Sequence, residues 1–249
     1  MVQYGFFFDQ SRCTDCRACV LSCRNWYDIP PGPVKWCRMF QWEKGVYFNL
    51  RLHFLFAPCY HCEDPVCIRA CQNKAIYKEE KYGAVLVDPE KCQGDRRCWK
   101  ACPYGAPQFQ SDEPGAKMSK CTMCIDRLEQ GRMPICAESC PMRALDFGPL
   151  ADLTRKYGNV RILEDLPRDT ITRPAIVFKP HVAKKRLVPY NEDKAFELLG
   201  NRDVFAPLPA LYLSKGDVTS VSPGLVGRDR LNLKPKTVEE VKRATQHDE

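Results

Sequence analysis

Residues 13–23 read CTDCRACVLSC, a stretch that holds four of the chain's cysteines. The first three stand at every third position, and a tight loop with this spacing can wrap three corners of one iron–sulfur cube. In bacterial loops of this kind the fourth cysteine ligates a neighbouring cluster. Zinc takes four ligands in separated pairs and has no use for three thiols so close together. The stretch therefore indicates iron–sulfur clusters.

Three further cysteine groups follow this first group along the chain. Group two is CYHCEDPVCIRAC (59–71), group three is CQGDRRCWKAC (92–102), and group four is CTMCIDRLEQGRMPICAESC (121–140). The four groups account for fifteen of the sixteen cysteines, and Cys37 is left over. Asp95 stands where the rhythm of group three would place a cysteine. Such tight runs argue against a disulfide framework and favour metal.

The composition narrows the class of protein. A chain of 249 residues is long enough for one large or two ordinary domains. Its net charge of +7 is modest and no block of Lys and Arg occurs, so we expect no nucleic-acid partner. Its start does not read as a signal peptide, and no apolar run approaches the ~20 residues of a membrane span. We expect a soluble chain, cytoplasmic or exported only by a signal on a partner subunit.

Local patterns predict a few elements between the groups. Apolar and polar residues alternate over 46–56, which predicts a half-buried strand. The stretch AIYKEEKYGAVLVDP (75–89) predicts a hairpin that turns at Gly83. The stretch GPLADLTRKYG (148–158) predicts a short helix between its proline and its last glycine.

The C-terminal tail contains no cysteine and many prolines. It closes in TVEEVKRATQ (237–246), which predicts a helix with Thr237 and Glu240 as a capping box. Such a tail buries little core of its own, so we expect it to run over a surface, which can belong to another chain.

The crossing-over of the fourth cysteine predicts how ligands pair between groups. If groups one and four form one two-cluster unit, and groups two and three form another, four ligand sets result. Set I is Cys13, Cys16, Cys19 and Cys140; set II is Cys23, Cys121, Cys124 and Cys136; set III is Cys59, Cys62, Cys67 and Cys102; set IV is Cys71, Cys92, Asp95 and Cys98. From the spacing alone, sequential pairing of neighbouring groups remains open.

Four stretches occur in order along the chain: QYGFFFDQSRCTDCRAC (3–19), CYHCEDPVC (59–67), ACPYGAPQF (101–109) and KCTMCIDRLEQGRMPICAESCPMRALDFG (120–148). Together they resemble the iron–sulfur electron-transfer (beta) subunit of the dimethyl sulfoxide reductase family of molybdopterin (Mo/W) oxidoreductases. The likeness runs from residue 4 to about 158. It implies four clusters, the nested sets I–IV, and a large catalytic subunit that carries a molybdopterin cofactor. A membrane-anchor subunit is a further partner in many relatives.

The predicted fold class is α+β, with two bacterial ferredoxin-like two-cluster units, tandem or nested, and an irregular C-terminal extension. Residues 1–58 and 103–158 would form an outer unit around groups one and four. Residues 59–102 would form an inserted inner unit around groups two and three. Residues 159–249 would form an extended segment that packs on the catalytic partner.

Position 95 decides the type of one cluster, whereas the other three are predicted to be [4Fe–4S]. Asp95 either binds the fourth iron through a carboxylate oxygen, or leaves a [3Fe–4S] cluster beside a surface aspartate paired with Arg96 or Arg97. A carboxylate is a harder and weaker ligand for this iron than a thiolate. We favour the four-iron cluster with Asp95 bound.

The remaining candidates are weaker. Cys37 is expected to be a small buried apolar residue. His61 is expected to orient its loop by hydrogen bonding, and Trp99 to pack beside a cluster. Arg96, Arg97 and Lys100 either stabilise a reduced cluster or are ordinary surface charge.

No nucleophile or acid–base constellation occurs in the sequence, so the protein is not expected to catalyse a reaction alone. The predicted function is to relay single electrons through four clusters between a Mo/W catalytic subunit and a second redox partner. A free-standing polyferredoxin is the alternative, and an iron or redox sensor built on the Asp95 cluster is a third interpretation.

Overall fold

The computed structural model describes residues 2–45, 51–182, 191, 193–194, 197, 233–234, 237–238 and 240. Most of these belong to one compact unit, formed by Met1–Phe40, Phe54–His181 and Leu231–Glu249. A second unit takes Gln41–His53 and Val182–Arg230. The fold mixes short helices with small sheets, which agrees with the predicted mixed class at this level.

The largest sheet has three strands and lies at the centre of the first unit. Strand β1 (Tyr4–Asp9) is the middle strand, antiparallel to β8 (Leu145–Pro149) and parallel to β9 (Ile176–Lys179). The aromatic run of β1 is buried on both faces: Phe6, Phe7 and Phe8 are 0%, 4% and 1% exposed. Aromatic residues favour such a pleated, covered position.

Helix α6 (Leu150–Tyr157) covers one face of this sheet. Leu150 and Leu153 pack with Phe7, whose ring stacks on that of Tyr157 at 3.6 Å between centroids. The helix follows directly on Pro149, and Gly158 after it has a positive φ of 93°. The predicted helix is confirmed with these bounds.

The other elements are short and carry the cysteine loops. The helices are α1 (Ala18–Trp26), α2 (Val66–Ala70), α3 (Arg97–Ala101), α4 (Ile125–Leu128), α5 (Ile135–Glu138) and a 3₁₀ turn at Asp169–Ile171. The strands pair as β2 (Met39–Lys44) with β3 (Arg51–Phe56), β4 (Ile76–Lys78) with β5 (Val85–Val87), and β6 (Gln108–Phe109) with β7 (Met118–Ser119). Helix α1 packs against α5, and α2 packs against α3.

The predicted hairpin is confirmed, because β4 and β5 pair antiparallel on either side of Gly83. The strand predicted over 46–56 is observed from Arg51 onward, and residues 46–50 lie outside the described residues. Its alternation is lost at the C-terminal end, where Leu55 and Phe56 are both fully buried. Phe56 packs against Phe6 of the central sheet, so this end of the strand is covered on both faces.

Part of the segment predicted as an extension, 159–249, folds onto the rest of the protein. Strand β9 lies within it and hydrogen-bonds to β1. Farther along, the N–H of Glu240 donates to Oγ1 of Thr237 at 3.1 Å, one half of the predicted capping box. The rest of the helix predicted over 237–246 lies outside the described residues, apart from Val238. The unit boundaries given above stay a prediction.

Among the described residues, no helix combines the length and apolar character that crossing a membrane requires.

Candidate iron–sulfur sites

Three cavities of the structure are each lined by the side chains of one predicted ligand set. A cavity of about 430 Å³ is lined by Cys59, Cys62, Cys67 and Cys102. A second, of about 330 Å³, is lined by Cys13, Cys16, Cys19 and Cys140, and a third, of about 260 Å³, by Cys71, Cys92, Asp95 and Cys98. Sets I, III and IV are thus brought together, each around its own space.

The members of set II also lie close together, all of them buried. Burial raises the pKa of Cys121 well above its usual value, and the neighbouring thiols of Cys23 and Cys124 raise it further. Burial likewise raises the pKa of Cys136, followed by the effects of Cys124, Cys121 and Cys23. All four thiols therefore lie within electrostatic reach of one another.

The loops that present the thiols share one backbone feature. In each of the four groups, the residue two positions after the first cysteine adopts a left-handed conformation. These residues are Asp15 (φ 53°), His61 (φ 44°), Gly94 (φ 73°) and Met123 (φ 64°). Left-handed residues within a turn help to point successive N–H groups into a concavity that favours anions. The loops are therefore shaped to receive a negatively charged group.

Gly94 alone among these four residues is a glycine, and the structure gives the reason. A Cβ at this position would lie 2.5 Å from the carbonyl oxygen of Ala116 and 2.7 Å from the carbonyl carbon of Gly115. The loop of set IV approaches the neighbouring backbone too closely for a side chain.

Backbone N–H groups donate to several of the sulfur atoms. Met118 donates to Sγ of Cys92 at 3.4 Å, and Ala144 donates to Sγ of Cys140 at 3.3 Å. Met123 donates to Sγ of Cys121 at 3.4 Å. Such bonds orient the thiols and, around a bound cluster, are one of the factors that set its reduction potential.

The chemistry of the donors fits iron–sulfur clusters. All sixteen cysteines are free thiols. Burial is the main reason that the pKa of Cys13, of Cys67 and of Cys98 rises to about 12. Such thiols keep their protons near neutral pH unless a metal takes their place, so cluster binding must release protons.

The arrangement of the donors fits a cluster better than a single ion. In the part of the chain that the structure describes, no three His, Cys, Asp or Glu side chains converge closely enough to hold one metal ion. The thiols of sets I, III and IV surround a space instead. A cubane, with iron at four separate corners, needs such a space, whereas zinc needs four ligands around one point.

Asp95 lines the third cavity, although the residue is exposed. Its Oδ1 accepts a hydrogen bond from the backbone N–H of Arg97 at 3.2 Å. The guanidinium of Arg96 lies instead over the ring of Phe109 and pairs with Asp112 at 2.6 Å. In the described residues Asp95 therefore has no ion pair with Arg96 or Arg97, the pairing that the three-iron alternative invoked. Whether Asp95 binds iron stays a prediction.

Three weaker candidates have clear surroundings. Cys37 is buried, as expected, at 3% exposure. His61 is fully buried, and its Nδ1 accepts the N–H of Val85 at 2.9 Å, so its predicted role of orienting the loop by hydrogen bonding is confirmed. Trp99 packs against the apolar cluster that contains Cys98, as predicted. The roles of Arg96, Arg97 and Lys100 stay predictions.

Sequence reasoning missed Lys120. This residue is 3% exposed and lines the cavity of set III. Its position directly before Cys121 was visible in the sequence. Lysine is seldom buried, however, and no sequence signal marked this one as an exception.

The comparison with known proteins agrees with this chemistry. The family described as a 4Fe-4S dicluster domain matches residues 50–150. The iron–sulfur subunit of the anaerobic dimethyl sulfoxide reductase of Escherichia coli K12 is 44% identical over 187 residues, which cover 72% of this chain and 89% of that protein. Its namesake in Haemophilus influenzae is 38% identical over 190 residues, covering 73% and 91%.

A relative with a different name matches less of the sequence. The corresponding subunit of the sulfite dehydrogenase of Allochromatium vinosum is 35% identical over 172 residues, which cover 61% of this chain and 71% of that protein. The long matches to the dimethyl sulfoxide reductase subunits are decisive. The chain therefore belongs to the family of dimethyl sulfoxide reductase iron–sulfur subunits, which transfer electrons in oxidoreductases.

Proposed function

We propose that this subunit relays single electrons through four iron–sulfur clusters, between a large molybdopterin (Mo or W) catalytic subunit and a second redox partner. The observation that carries the proposal is the lining of three separate cavities by three of the four predicted ligand sets. An iron–sulfur cluster bound by such thiolates accepts and releases one electron at a time.

The proposed ligands are sets I–IV in their nested pairing. Set I joins group one to group four, and set III joins group two to group three, and each set lines one cavity. The packing of α1 on α5 and of α2 on α3 supports the same nesting, because these helices carry cysteines of the paired groups. Sequential pairing of neighbouring groups would need different partners in every cavity.

The four sets follow one another in a row. Cys19 of set I is near enough to Cys136 of set II to raise its pKa, after burial and the thiols of set II itself. In the same way Cys59 of set III acts on Cys121 of set II. Cys98 of set IV acts on Cys67 of set III. Each set therefore has its successor as a neighbour, which gives a path with short steps.

The two ends of this row are closer to solvent than its middle. Cys16 of set I and Asp95 of set IV are exposed, whereas every thiol of set II is buried. The protein thus keeps water away from the middle of the path. Its ends come near the surface, where redox partners can approach.

For set IV we propose a four-iron cluster with Asp95 as the fourth ligand. Asp95 lines the cavity beside Cys71, Cys92 and Cys98. Only its Oδ1 is engaged by the N–H of Arg97, so its Oδ2 is the atom available to iron. The remaining alternative is a [3Fe–4S] cluster, and the other three clusters are proposed as [4Fe–4S].

The proposed main partner is the catalytic subunit, which selects the substrate. The relatives are named as components of dimethyl sulfoxide reductases and of a sulfite dehydrogenase, so subunits of this type occur with enzymes for more than one substrate. A membrane-anchor subunit is a further proposed partner. The protein would reside in the cytoplasm or leave it together with its catalytic subunit.

Anaerobic purification at native abundance tests the proposal. We expect a brown complex that contains molybdenum or tungsten and about fifteen or sixteen irons per copy of this subunit. Electron paramagnetic resonance (EPR) should resolve four clusters. A colourless protein with zinc or disulfides would contradict the clusters. A homogeneous lone chain with its clusters but without molybdenum or tungsten would favour the polyferredoxin alternative.

A further inference from the structure

Lys120 is the one buried lysine in the described part of the chain, with an exposure of 3%. Its Nζ donates a hydrogen bond to the carbonyl oxygen of Val85 and another, at 3.0 Å, to that of Cys121. These two bonds fix the position of the ammonium group and satisfy two of its three donors.

The ammonium group lies between two of the proposed ligand sets. Lys120 lines the cavity of set III together with its four thiols. The residue that follows it, Cys121, belongs to set II. The positive charge of Lys120 is also close enough to lower the pKa of Cys67, against the larger effect of burial.

No carboxylate balances this charge. In the described residues Lys120 makes no ion pair, and carbonyl oxygens satisfy its N–H donors without neutralising it. The nearby His61 does not help, because burial and the charge of Lys120 both lower its pKa and keep it neutral. A buried charge without a partner is strongly unfavourable, so an anion must occupy the adjacent space.

We propose that Lys120 is the counter-ion of the clusters held by sets III and II, and that its charge raises the reduction potentials of these two clusters. This inference rests on the ligand sets of the proposed function. Each reduction adds one electron, delivered by the redox partner, and so one negative charge beside the ammonium. A fixed cation therefore stabilises the reduced form more than the oxidised form.

The test is a redox titration followed by EPR on the complete, anaerobically prepared protein. Lys120→Gln removes the charge and keeps a hydrogen-bond donor, Lys120→Met removes both, and Lys120→Arg keeps both. We expect Gln and Met to lower the reduction equilibrium constant of the two middle clusters about tenfold, which is about 59 mV for a one-electron couple. Arg should stay close to the wild type, and the clusters of sets I and IV should shift less.

Lys117→Met is the matched control, because Lys117 lies on the same segment but is exposed. Its charge is screened by water, so we expect all four potentials to stay unchanged. The inference is overturned if Lys120→Gln leaves the potentials of the middle clusters as in the wild type.

Failure to assemble clusters is also informative. If Lys120→Gln and Lys120→Met lose the middle clusters while Lys120→Arg keeps them, the positive charge is required, as proposed. If all three variants lose them alike, the side chain has a steric role and the inference is wrong. The proposed function is judged separately, by whether the wild-type protein contains four clusters.

Discussion

At the scale of single residues, Asp95 is the position where chemistry and fold meet most directly. It lines a cavity with three thiols, in the place that a fourth thiol has in sets I and III. A carboxylate holds this iron less firmly than a thiolate does, so the fourth iron of set IV should be exchangeable.

Substitution of Asp95 tests this property. We expect Asp95→Ala to give a permanent [3Fe–4S] cluster and Asp95→Cys a [4Fe–4S] cluster that a chelator no longer converts. The wild type should gain and lose one iron reversibly, as measured by EPR during titration with ferrous iron. Glu90→Ala, an exposed acidic change just before the same loop, is the control. If the wild type and Asp95→Ala respond identically to iron, Asp95 is not a ligand.

Asp9 is a second residue with a measurable role, in this case in stability. It is 3% exposed, and its carboxylate accepts the N–H of Ser11 and the Nζ of Lys179, both at 2.9 Å. Burial alone would raise the pKa of Asp9, but these hydrogen bonds outweigh it and hold the pKa below its ordinary value. The stabilisation is therefore complete above about pH 4 and is lost as the pH falls through the lowered pKa.

We expect Asp9→Ala to lower the free energy of unfolding by about 1–3 kcal/mol at pH 7, because it leaves the buried donors without an acceptor. Anaerobic urea denaturation measures this change. Asp152→Ala provides the comparison: its ion pair with Arg155 is exposed, so the loss should stay below about 0.5 kcal/mol. Equal effects of the two substitutions would contradict the role given to Asp9.

At the scale of elements, the loops repeat one conformation with different residues. Asp15, His61 and Met123 adopt positive φ without being glycine. Fixed ligands and packing hold them there, since the left-handed conformation costs such residues roughly 1–2 kcal/mol. Gly94 has both a positive φ and no room for a Cβ.

Gly94→Ala should therefore disturb set IV. We expect a loss of more than about 2 kcal/mol in the free energy of unfolding, and a lower iron content confined to the cluster of set IV. Gly115→Ala is the matched control, because Gly115 also has a positive φ of 82° but nothing within 4 Å of an added Cβ. The two variants separate backbone strain from the close approach. If both retain four clusters and equal stability, the close approach is unimportant.

At the scale of the whole molecule, a C-terminal segment returns to the inner cysteine groups. Leu233 is buried, and its carbonyl oxygen accepts a hydrogen bond from Nη1 of Arg38 at 3.2 Å. Nζ of Lys234 donates to the carbonyl oxygen of Lys100 at 2.8 Å and lies 4.5 Å from the ring centroid of Trp99. The segment thus covers α3, which carries a ligand of set IV and leads to one of set III.

Removal of residues 231–249 should uncover this helix. We expect the clusters of sets III and IV to lose iron several-fold faster in air, because oxygen and water reach them more easily. The decay of visible absorbance and the EPR signals of the four clusters measure the loss. Removal of 241–249, which leaves the contacts of Leu233 and Lys234 intact, should have no effect. Equal decay in the long truncation and the wild type would show that the segment does not protect the clusters.

The sequence by itself determined the chemistry and the local elements. Cysteines three residues apart are covalently constrained to face one small body, so the ligand groups could be read without a structure. The β4–β5 hairpin and helix α6 likewise depend on nearby residues, namely Gly83 between two β-rich runs and Pro149 with Gly158 at the helix ends.

Only the tertiary structure decided what depends on distant contacts. The pairing of β9 with β1, the burial on both sides of β3 and the return of Leu233 to Arg38 all join residues far apart in the sequence. Lys120 is the clearest case. A lysine beside a cysteine reads as surface charge, and only the packing of Val85 and the set III thiols around it makes it a buried cation. Burial is a property of the surroundings, which no local pattern encodes.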